Sequence, residues 1–301
     1  MYNSVIIPTY KKETRLLLAL QSFLVQDYPP EKYEIIIVAK EPSETIRKAI
    51  VSARRKLDIK LIIQKGTGRA NARNEGIRRA SGEVIVFTDD DLLLSSNFIS
   101  QHVDSHQDKN VVSLGKVFQV YLSCLDKVEL KEIFKRLPSI AREDIYFKTV
   151  RKAFSFENNS IPWIGFGTNN VSLRKDALIK IGLFDEDFIG WGQDNIELGY
   201  RLYKRGYRFT YNPLACNYHL AHPRNKENLL KDITRNLEIF YKKQPETPVK
   251  LYRDFIFGKI SLEYFNNSIA KGADSDLDRG KIFYREYIKL LQWVSSNEIV
   301  A

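Results

Sequence analysis

Along the first ninety residues, apolar runs of strand length alternate with apolar residues at helical spacing. Ser4 to Ile7 is a short β-branched run ended by Pro8; a polar turn follows, and Leu16, Leu17, Leu20, Phe23 and Leu24 then recur at the period of a helix. Tyr33 to Val38 predicts a second strand, Thr45 to Lys56 a second helix with Ile46, Ala49, Ile50 and Ala53 inward, and Lys60 to Gln64 a third strand. Ala70 to Ala80 reads as another helix, and Glu83 to Phe87 as a fourth strand that runs directly into Thr88, Asp89, Asp90 and Asp91. This alternation predicts an α/β fold, a mostly parallel sheet flanked by helices. In such sheets ligands bind beyond the carboxyl ends of the strands, the edge on which the acidic triplet falls.

Past the triplet the pattern loosens. Val111 to Leu122 predicts a strand and Leu125 to Arg136 a helix, whereas Leu137 to Ile161 carries no clear period. A long irregular stretch in a compact domain is often a functional loop, and Tyr146 to Phe156 is a candidate lid. Trp163 to Leu173 is rich in Gly and Asn; Lys175 to Ile181 is helical; Asp194 to Arg205 is an amphipathic helix with Ile196, Leu198 and Leu202 apolar. Arg208 to Tyr211 and Ala215 to Tyr218 predict two short strands. Beyond Pro223, helices are predicted over Lys226 to Lys243, Lys250 to Ala270 and Lys281 to Val294. The last has basic residues between its apolar ones, a pattern that fits a cap on the domain, a homo-oligomer contact or a peripheral membrane contact. With no linker or repeat in the first 240 residues, residues 1–243 are expected to form one unit and 244–301 a C-terminal helical extension.

With 301 residues, 44% of them hydrophobic, the chain can bury a full core. Its formal charge of +10 favours anionic partners such as a nucleotide phosphate, an acidic polymer or an anionic membrane. Much of that charge is scattered, as in Arg54, Arg55, Lys56, Arg78 and Arg79, which suits solvated helix faces; with no recognition motif, nucleic-acid binding is not expected. Cys124 and Cys216 form no CxxC pair, which fits a reducing compartment. The N-terminus lacks the pattern of a secretory signal and no apolar run approaches the ~20 residues that span a bilayer. A cytoplasmic protein is expected, with attachment to the inner face of a membrane left open.

Three adjacent carboxylates repel one another, so a strand end carrying Asp89, Asp90 and Asp91 invites a cation; carboxylate oxygens suit Mg²⁺ or Mn²⁺, which commonly bridge them to substrate phosphates. The competing reading is helix capping by Asp91 ahead of Leu92, Leu93 and Leu94. Asp194 begins a helix, where it suits either the macrodipole or a general base taking a proton from an attacking hydroxyl. His219 and His222 follow a strand and would complete a mixed nitrogen and oxygen metal site if they faced the triplet. Trp163, Phe166 and Trp191 suit an exposed aromatic platform or ordinary core packing.

Several segments in order resemble the GT-A fold glycosyltransferases of family 2, with a C-terminal half similar to chondroitin polymerase and β-1,4-galactosyltransferase domains. They are Ser4 to Tyr10, Gly68 to Gly76, Phe87 to Asp91, Gly167 to Ser172, Gly182 to Asp185, Gly190-Trp191-Gly192 and Tyr218-His219. The resemblance implies a GT-A, Rossmann-like fold with 1–91 as the nucleotide-binding half and 92–243 as the acceptor and metal half. It implies metal-dependent transfer of a sugar from a nucleoside-diphosphate donor, expected to be a UDP-sugar, to a hydroxyl of a saccharide or glycoconjugate, with inversion. Pro8, Thr9 and Tyr10 would then sit beside the nucleoside, and Arg69, Arg73 and Asn74 near the donor. Asp89 and Asp91 would form the DxD motif, with Asp90 able to substitute for one of them, and His219 or its neighbour His222 would complete the Mn²⁺ or Mg²⁺ site. Gly167, Asn170, Trp191 and Gly192 would join Trp163 and Phe166 on the acceptor and sugar side.

Two positions depart from the family pattern. The second strand ends in Ala39-Lys40-Glu41 instead of paired aspartates, which leaves Glu41 to accept the uracil N–H. The usual Glu-Asp at the helix start reads Asp194-Asn195, so the base passes to Asp194 or Glu197. Retaining transfer, nucleotidyl transfer and non-catalytic binding of nucleotide-sugars or glycans are the alternatives on the same scaffold.

Overall fold

The computed structural model of the chain describes residues 1–122, 125, 129–222 and 225–271. The helix expected over Lys281 to Val294, and Cys124, lie outside the described residues. Strands β1 (Asn3–Thr9), β2 (Tyr33–Ala39), β3 (Asp58–Ile63) and β4 (Val84–Phe87) are parallel and lie in the order β3-β2-β1-β4. Side chains alternate across a strand, and here both faces are apolar. Val5, Ile7, Ile35 and Ile37 meet Leu16, Leu20 and Phe23 of α1 (Glu13–Phe23) and Ile46 and Ile50 of α2 (Glu44–Ala53). On the opposite face, Ile6, Ile36 and Val38 meet Ala70, Ala72 and Ile77 of α3 (Gly68–Arg79).

Beyond β4 the sheet is mixed. Strand β5 (Leu92–Leu94) is the far edge; β6 (Val111–Val120) and β9 (Arg208–Leu220) run parallel beside it, and β8 (Val171–Arg174) joins them antiparallel to β4. The leucines after the triplet therefore form a strand and not a capped helical turn. Their antiparallel register sets Leu92 opposite His219, and the Leu220 amide donates to the Asp91 carbonyl at 2.8 Å, which brings the histidine strand to the triplet. The two short strands expected after Arg208 are one strand with an irregularity opposite Gly115 and Lys116.

Helix α4 (Phe98–Asp104) packs against β9, and α5 (Leu130–Ile140) overlaps the helix expected from Leu125. The stretch from Leu137 to Ile161, expected to be irregular, contains β7 (Arg142–Glu143), paired with β6, and α6 (Ile145–Ala153). Val150 and Ala153 of α6 are buried, a short apolar face obscured in the sequence by Lys148, Arg151 and Lys152.

Helices α7 (Lys175–Ile181), α8 (Asp194–Lys204) and α9 (Lys226–Lys243) follow their predicted spans, while α10 (Thr247–Ile256) and α11 (Leu262–Lys271) divide the single helix expected after Lys250. The expected boundary at residue 243 is not a break in the core: Phe240, Tyr252, Phe255 and Phe265 share one cluster with Trp163 and Tyr200. Among the described residues, no helix is long and apolar enough to cross a membrane.

Candidate active site

A cleft of about 810 Å³ opens at the carboxyl ends of β1, β2 and β4. Thr9, at the end of β1, donates to Asp90 Oδ2 at 2.7 Å, and Lys12, just before α1, places its ammonium 2.5 Å from Asp91 Oδ2 and 3.3 Å from Asp90 Oδ1. Both aspartates are buried, 4% and 3% exposed, so their charges require partners. Burial pushes Asp90 up to about 6, with the Asp91 and Asp89 charges adding to it, against the pull of Lys12 and the Thr9 hydroxyl. Burial also opposes ionisation of Asp91, but His219, His222 and Lys12 outweigh it and hold that carboxyl well below the usual range.

His219 Nε2 and His222 Nε2 lie 3.3 and 3.2 Å from the same oxygen, Asp91 Oδ2, and the ligating atoms of the three residues all fall within 4.8 Å of one another. One carboxylate and two imidazoles fit a divalent ion of the Mn²⁺ type; a mixed nitrogen and oxygen set suits Mg²⁺ less well. The Lys12 ammonium on the same oxygen shows that the cluster already draws a cation. Both histidines suit the site.

Across the cleft, Arg73 of α3 links the triplet to α8. Its guanidinium, 3% exposed, reaches Asp194 Oδ2 at 2.7 Å and Asp89 Oδ1 at 3.4 Å, with its carbon 5.6 Å from the Phe184 ring centroid. Close packing of α3 on β1 makes this reach available: a Cβ at Gly76 would come within 2.7 Å of Ile6 Cγ2. Asp194 is the first residue of α8, and the next residue, Asn195, donates its amide to the Phe166 carbonyl at 2.6 Å.

The turn before α8 has positive φ at Gly190 (+80°), Gly192 (+89°) and Gln193 (+74°), a conformation that needs outside support at Gln193. One face of α9 supplies it. Asp232 accepts from the Trp191 amide at 2.9 Å, Arg235 donates to the Ile189 carbonyl, and the Asn236 amide donates to the carbonyls of Ile189, Trp191 and Gly192 at 3.1, 3.3 and 2.8 Å. A methyl group at Gly190 would collide with the Asp232 carboxylate.

Of the residues expected at the site, the cleft brings together Pro8, Thr9, Tyr10, Arg69, Arg73, Asp89, Asp90, Asp91, Gly167, Trp191, Gly192, Asp194, His219 and His222. Others lie elsewhere. Glu41 is exposed and outside the lining, where Lys40 stands instead. Asn74 pairs with Phe184 N, Phe184 O and Glu186 behind the cleft. Trp163 is fully buried, its ring 4.8 Å from Tyr200 and 5.3 Å from Tyr252, and Phe166 is equally buried, so neither presents a face to a sugar. Asn170 ties the sheet together by donating to the Lys116 and Ala215 carbonyls and by contact with His102. Glu197 is held by Nε and Nη2 of Arg201, itself bound to the Ile181 and Leu183 carbonyls, which commits that carboxylate to structure.

Residues that the sequence did not single out are Lys12, Gln119, Asp144, Asp232 and Asn236. Lys12 directly follows the Pro-Thr-Tyr-Lys segment, and Asp232 and Asn236 stand four apart on one helix face, the only local signals available. Gln119 and Asp144 carry none.

The chain is 28% identical over 284 residues to validoxylamine A glucosyltransferase of Streptomyces hygroscopicus subsp. limoneus, a match covering 86% of this chain and 61% of that protein. It is 28% identical over 244 residues to chondroitin synthase of Escherichia coli, covering 75% and 35%. The chain thus spans only part of the length of these curated relatives. The fold is shared with the mannosyltransferase of Pyrobaculum calidifontis solved with GDP-Man and Mn²⁺, at a TM-score of 0.57 and 19% identity over 97% of this chain and 71% of that one. It is shared too with S. aureus TarS 1-349 in complex with UDP, at a TM-score of 0.58 and 18% identity over 90% and 73%. The profile of glycosyl transferase family 2 matches residues 4–176, a segment that holds the parallel strands, the acidic triplet and more than half of the chain, and the protein belongs to that family.

Proposed function

We propose that this protein transfers a sugar from a nucleoside-diphosphate donor, a UDP-sugar by expectation, to a hydroxyl of a saccharide or glycoconjugate acceptor, with inversion at the anomeric carbon. The observation that carries this reading is the convergence of Asp91, His219 and His222 on one side of a cleft whose other side holds Asp194, with Arg73 between them. The ligands named for the two structural neighbours, GDP-Man with Mn²⁺ and UDP, agree with a nucleotide-sugar donor.

In this reading Pro8, Thr9 and Tyr10 line the nucleoside end of the cleft, while Lys12, Lys40 and Arg69 give it the positive charge that a diphosphate requires. Asp91, His219 and His222 would hold a divalent cation, Mn²⁺ in preference to Mg²⁺, while Asp89, which reaches Arg73, stands outside that group of ligands. Such an ion supplies Lewis-acid neutralisation of the departing diphosphate. Asp194 takes the proton of the attacking hydroxyl; Arg73 orients this carboxylate, and Trp191 offers the acceptor an aromatic face. One base and one displacement invert the configuration. Residues 1–91 thereby serve the nucleotide and lend Asp91 to the metal, and residues 92–243 supply the two histidines and the acceptor side, with Tyr252 and Ile256 of α10 completing the wall.

The test is release and transfer from a panel of UDP-, GDP- and dTDP-sugars, with and without Mn²⁺, by wild type and Asp91→Ala. Manganese-dependent release of one nucleoside diphosphate, lost in the variant, is expected. Tight donor binding with no release across the donor and acceptor panel would overturn the transferase reading in favour of a binding protein, and release of pyrophosphate would point to nucleotidyl transfer.

A further inference from the structure

We propose that Gln119 and Asp144 are positioning residues that fix the tautomer of His219 and tie the metal site to α6; this rests on the metal reading above. Gln119 and His219 are opposite one another in the β6–β9 register, and His219 Nδ1 lies 2.7 Å from Gln119 Oε1. Gln119 Nε2 in turn lies 2.6 Å from Asp144 Oδ2.

The direction of this chain follows from donor and acceptor chemistry. A glutamine amide by itself can face either way, but an ionised carboxylate only accepts. Asp144 therefore draws the NH₂ group of Gln119, and the amide oxygen is left for His219. An oxygen there requires a proton on Nδ1, which leaves Nε2, 3.3 Å from Asp91 Oδ2, as the ring nitrogen that faces the acidic side chain. Nε2 toward a carboxylate with Nδ1–H on an outer acceptor is the arrangement of a metal ligand with its outer hydrogen bond in place.

Asp144 has a second task. Its Oδ1 accepts from the Phe147 amide at 3.1 Å and caps α6, whose Tyr146 and Phe147 line the cleft. Phe147 packs against the backbone at Gly167, where a Cβ would come within 2.7 Å of its ring, and Tyr146 donates to the Ile164 carbonyl at 2.8 Å. One carboxylate thus joins the start of a cleft-lining helix to the orientation of a metal ligand.

Two measurements decide this. Free Mn²⁺ is titrated by electron paramagnetic resonance, without nucleotide, against wild type, Gln119→Leu and Asp144→Asn; the imidazole nitrogens of His219 are observed by ¹⁵N NMR at pH 8 without metal. Asparagine caps helices about as well as aspartate, so Asp144→Asn keeps α6 capped while it frees the Gln119 amide to turn, and it carries the test if Gln119→Leu does not fold. Wild-type His219 is expected as the Nδ1–H tautomer, with a loss of about 10- to 100-fold in Mn²⁺ affinity and a mixed tautomer population in the variants. Unchanged affinity and tautomer in both variants would overturn the inference while leaving the metal site intact. If wild type binds no Mn²⁺ the metal reading fails instead, and an Nδ1–H tautomer that persists in both variants then rejects the positioning role by itself.

Discussion

Asn195 donates its side-chain amide to the carbonyl oxygen of Phe166 at 2.6 Å. A carboxylate in this place would set two acceptors against each other, so the residue aligned with the family's usual base has a structural bond that only an amide can make. Glu197 is equally committed, to Arg201. Asp194→Asn is therefore expected to lower kcat by about 10² to 10⁴ with donor affinity retained. Asn195→Asp in that background should restore nothing. Initial rates at saturating donor check both, and recovery in the double variant would place the base at position 195.

Lys12 puts a positive charge on the very oxygen that both histidines approach. Removing it with Lys12→Met should tighten Mn²⁺ binding in the absence of nucleotide by about tenfold, the effect of losing roughly 1.4 kcal/mol of like-charge repulsion. The same change should raise KM for the donor, because the diphosphate loses a cation. Calorimetric Mn²⁺ titration and steady-state kinetics test the two halves separately.

Asn236 is fully buried and spends both amide hydrogens on three carbonyls of the turn that leads into Asp194. Asn236→Leu would leave the Trp191 and Gly192 carbonyls without this donor, Arg235 still serving Ile189, at a cost of about 1–3 kcal/mol of stability. Loosening of the positive-φ turn should lower kcat more than it changes donor KM. Urea unfolding and a kcat-against-KM comparison provide the check; an unaltered kcat would show that the turn holds its shape alone.

His102 and His106 share the Ser172 hydroxyl in a buried cluster, at 2.8 and 2.7 Å. Burial lowers His102 to about 4 and, with the neighbouring His102 and Arg174 charges, His106 to about 3. Both folded values lie below the ordinary imidazole value of 6.5, so below that pH the unfolded chain binds protons that the folded one refuses. Their contribution to stability is complete above about pH 6.5 and falls as pH drops toward 4 and then 3, by up to about 1.4 kcal/mol per pH unit for each histidine. Unfolding free energies from pH 7.5 to 5 should show a steeper decline in wild type than in His106→Gln; equal slopes would exclude this origin.

The N-terminal half was legible because its strands are buried on both faces and its helices on one, so short-range periodicity carries the information. The same holds for α7 and α9, whose spans follow directly from apolar spacing and flanking breakers. Leu92–Leu94 and α6 were not legible, since three leucines suit a strand or a helix equally and a short helix under a basic surface shows little period.

By itself the sequence determined the residue types and some of their local settings: an acidic triplet at a strand end, a carboxylate at a helix start and a cluster of aromatics; of the two histidines it set after a strand, His219 lies within β9 and only His222 beyond it. Only the tertiary structure decided which of these share one space. Trp163, Phe166 and Asn170 look as suited to a ligand as Trp191 does, yet packing between distant segments turns them into the core and leaves Trp191 on the cleft. Asp194 and Glu197 lie one helical turn apart, yet Asp194 lines the cleft opposite Arg73 whereas Glu197 is paired with Arg201 away from it. The physical reason is range. Backbone conformation follows from neighbours in the chain, whereas the work of a charged or aromatic side chain is set by partners brought to it across the fold.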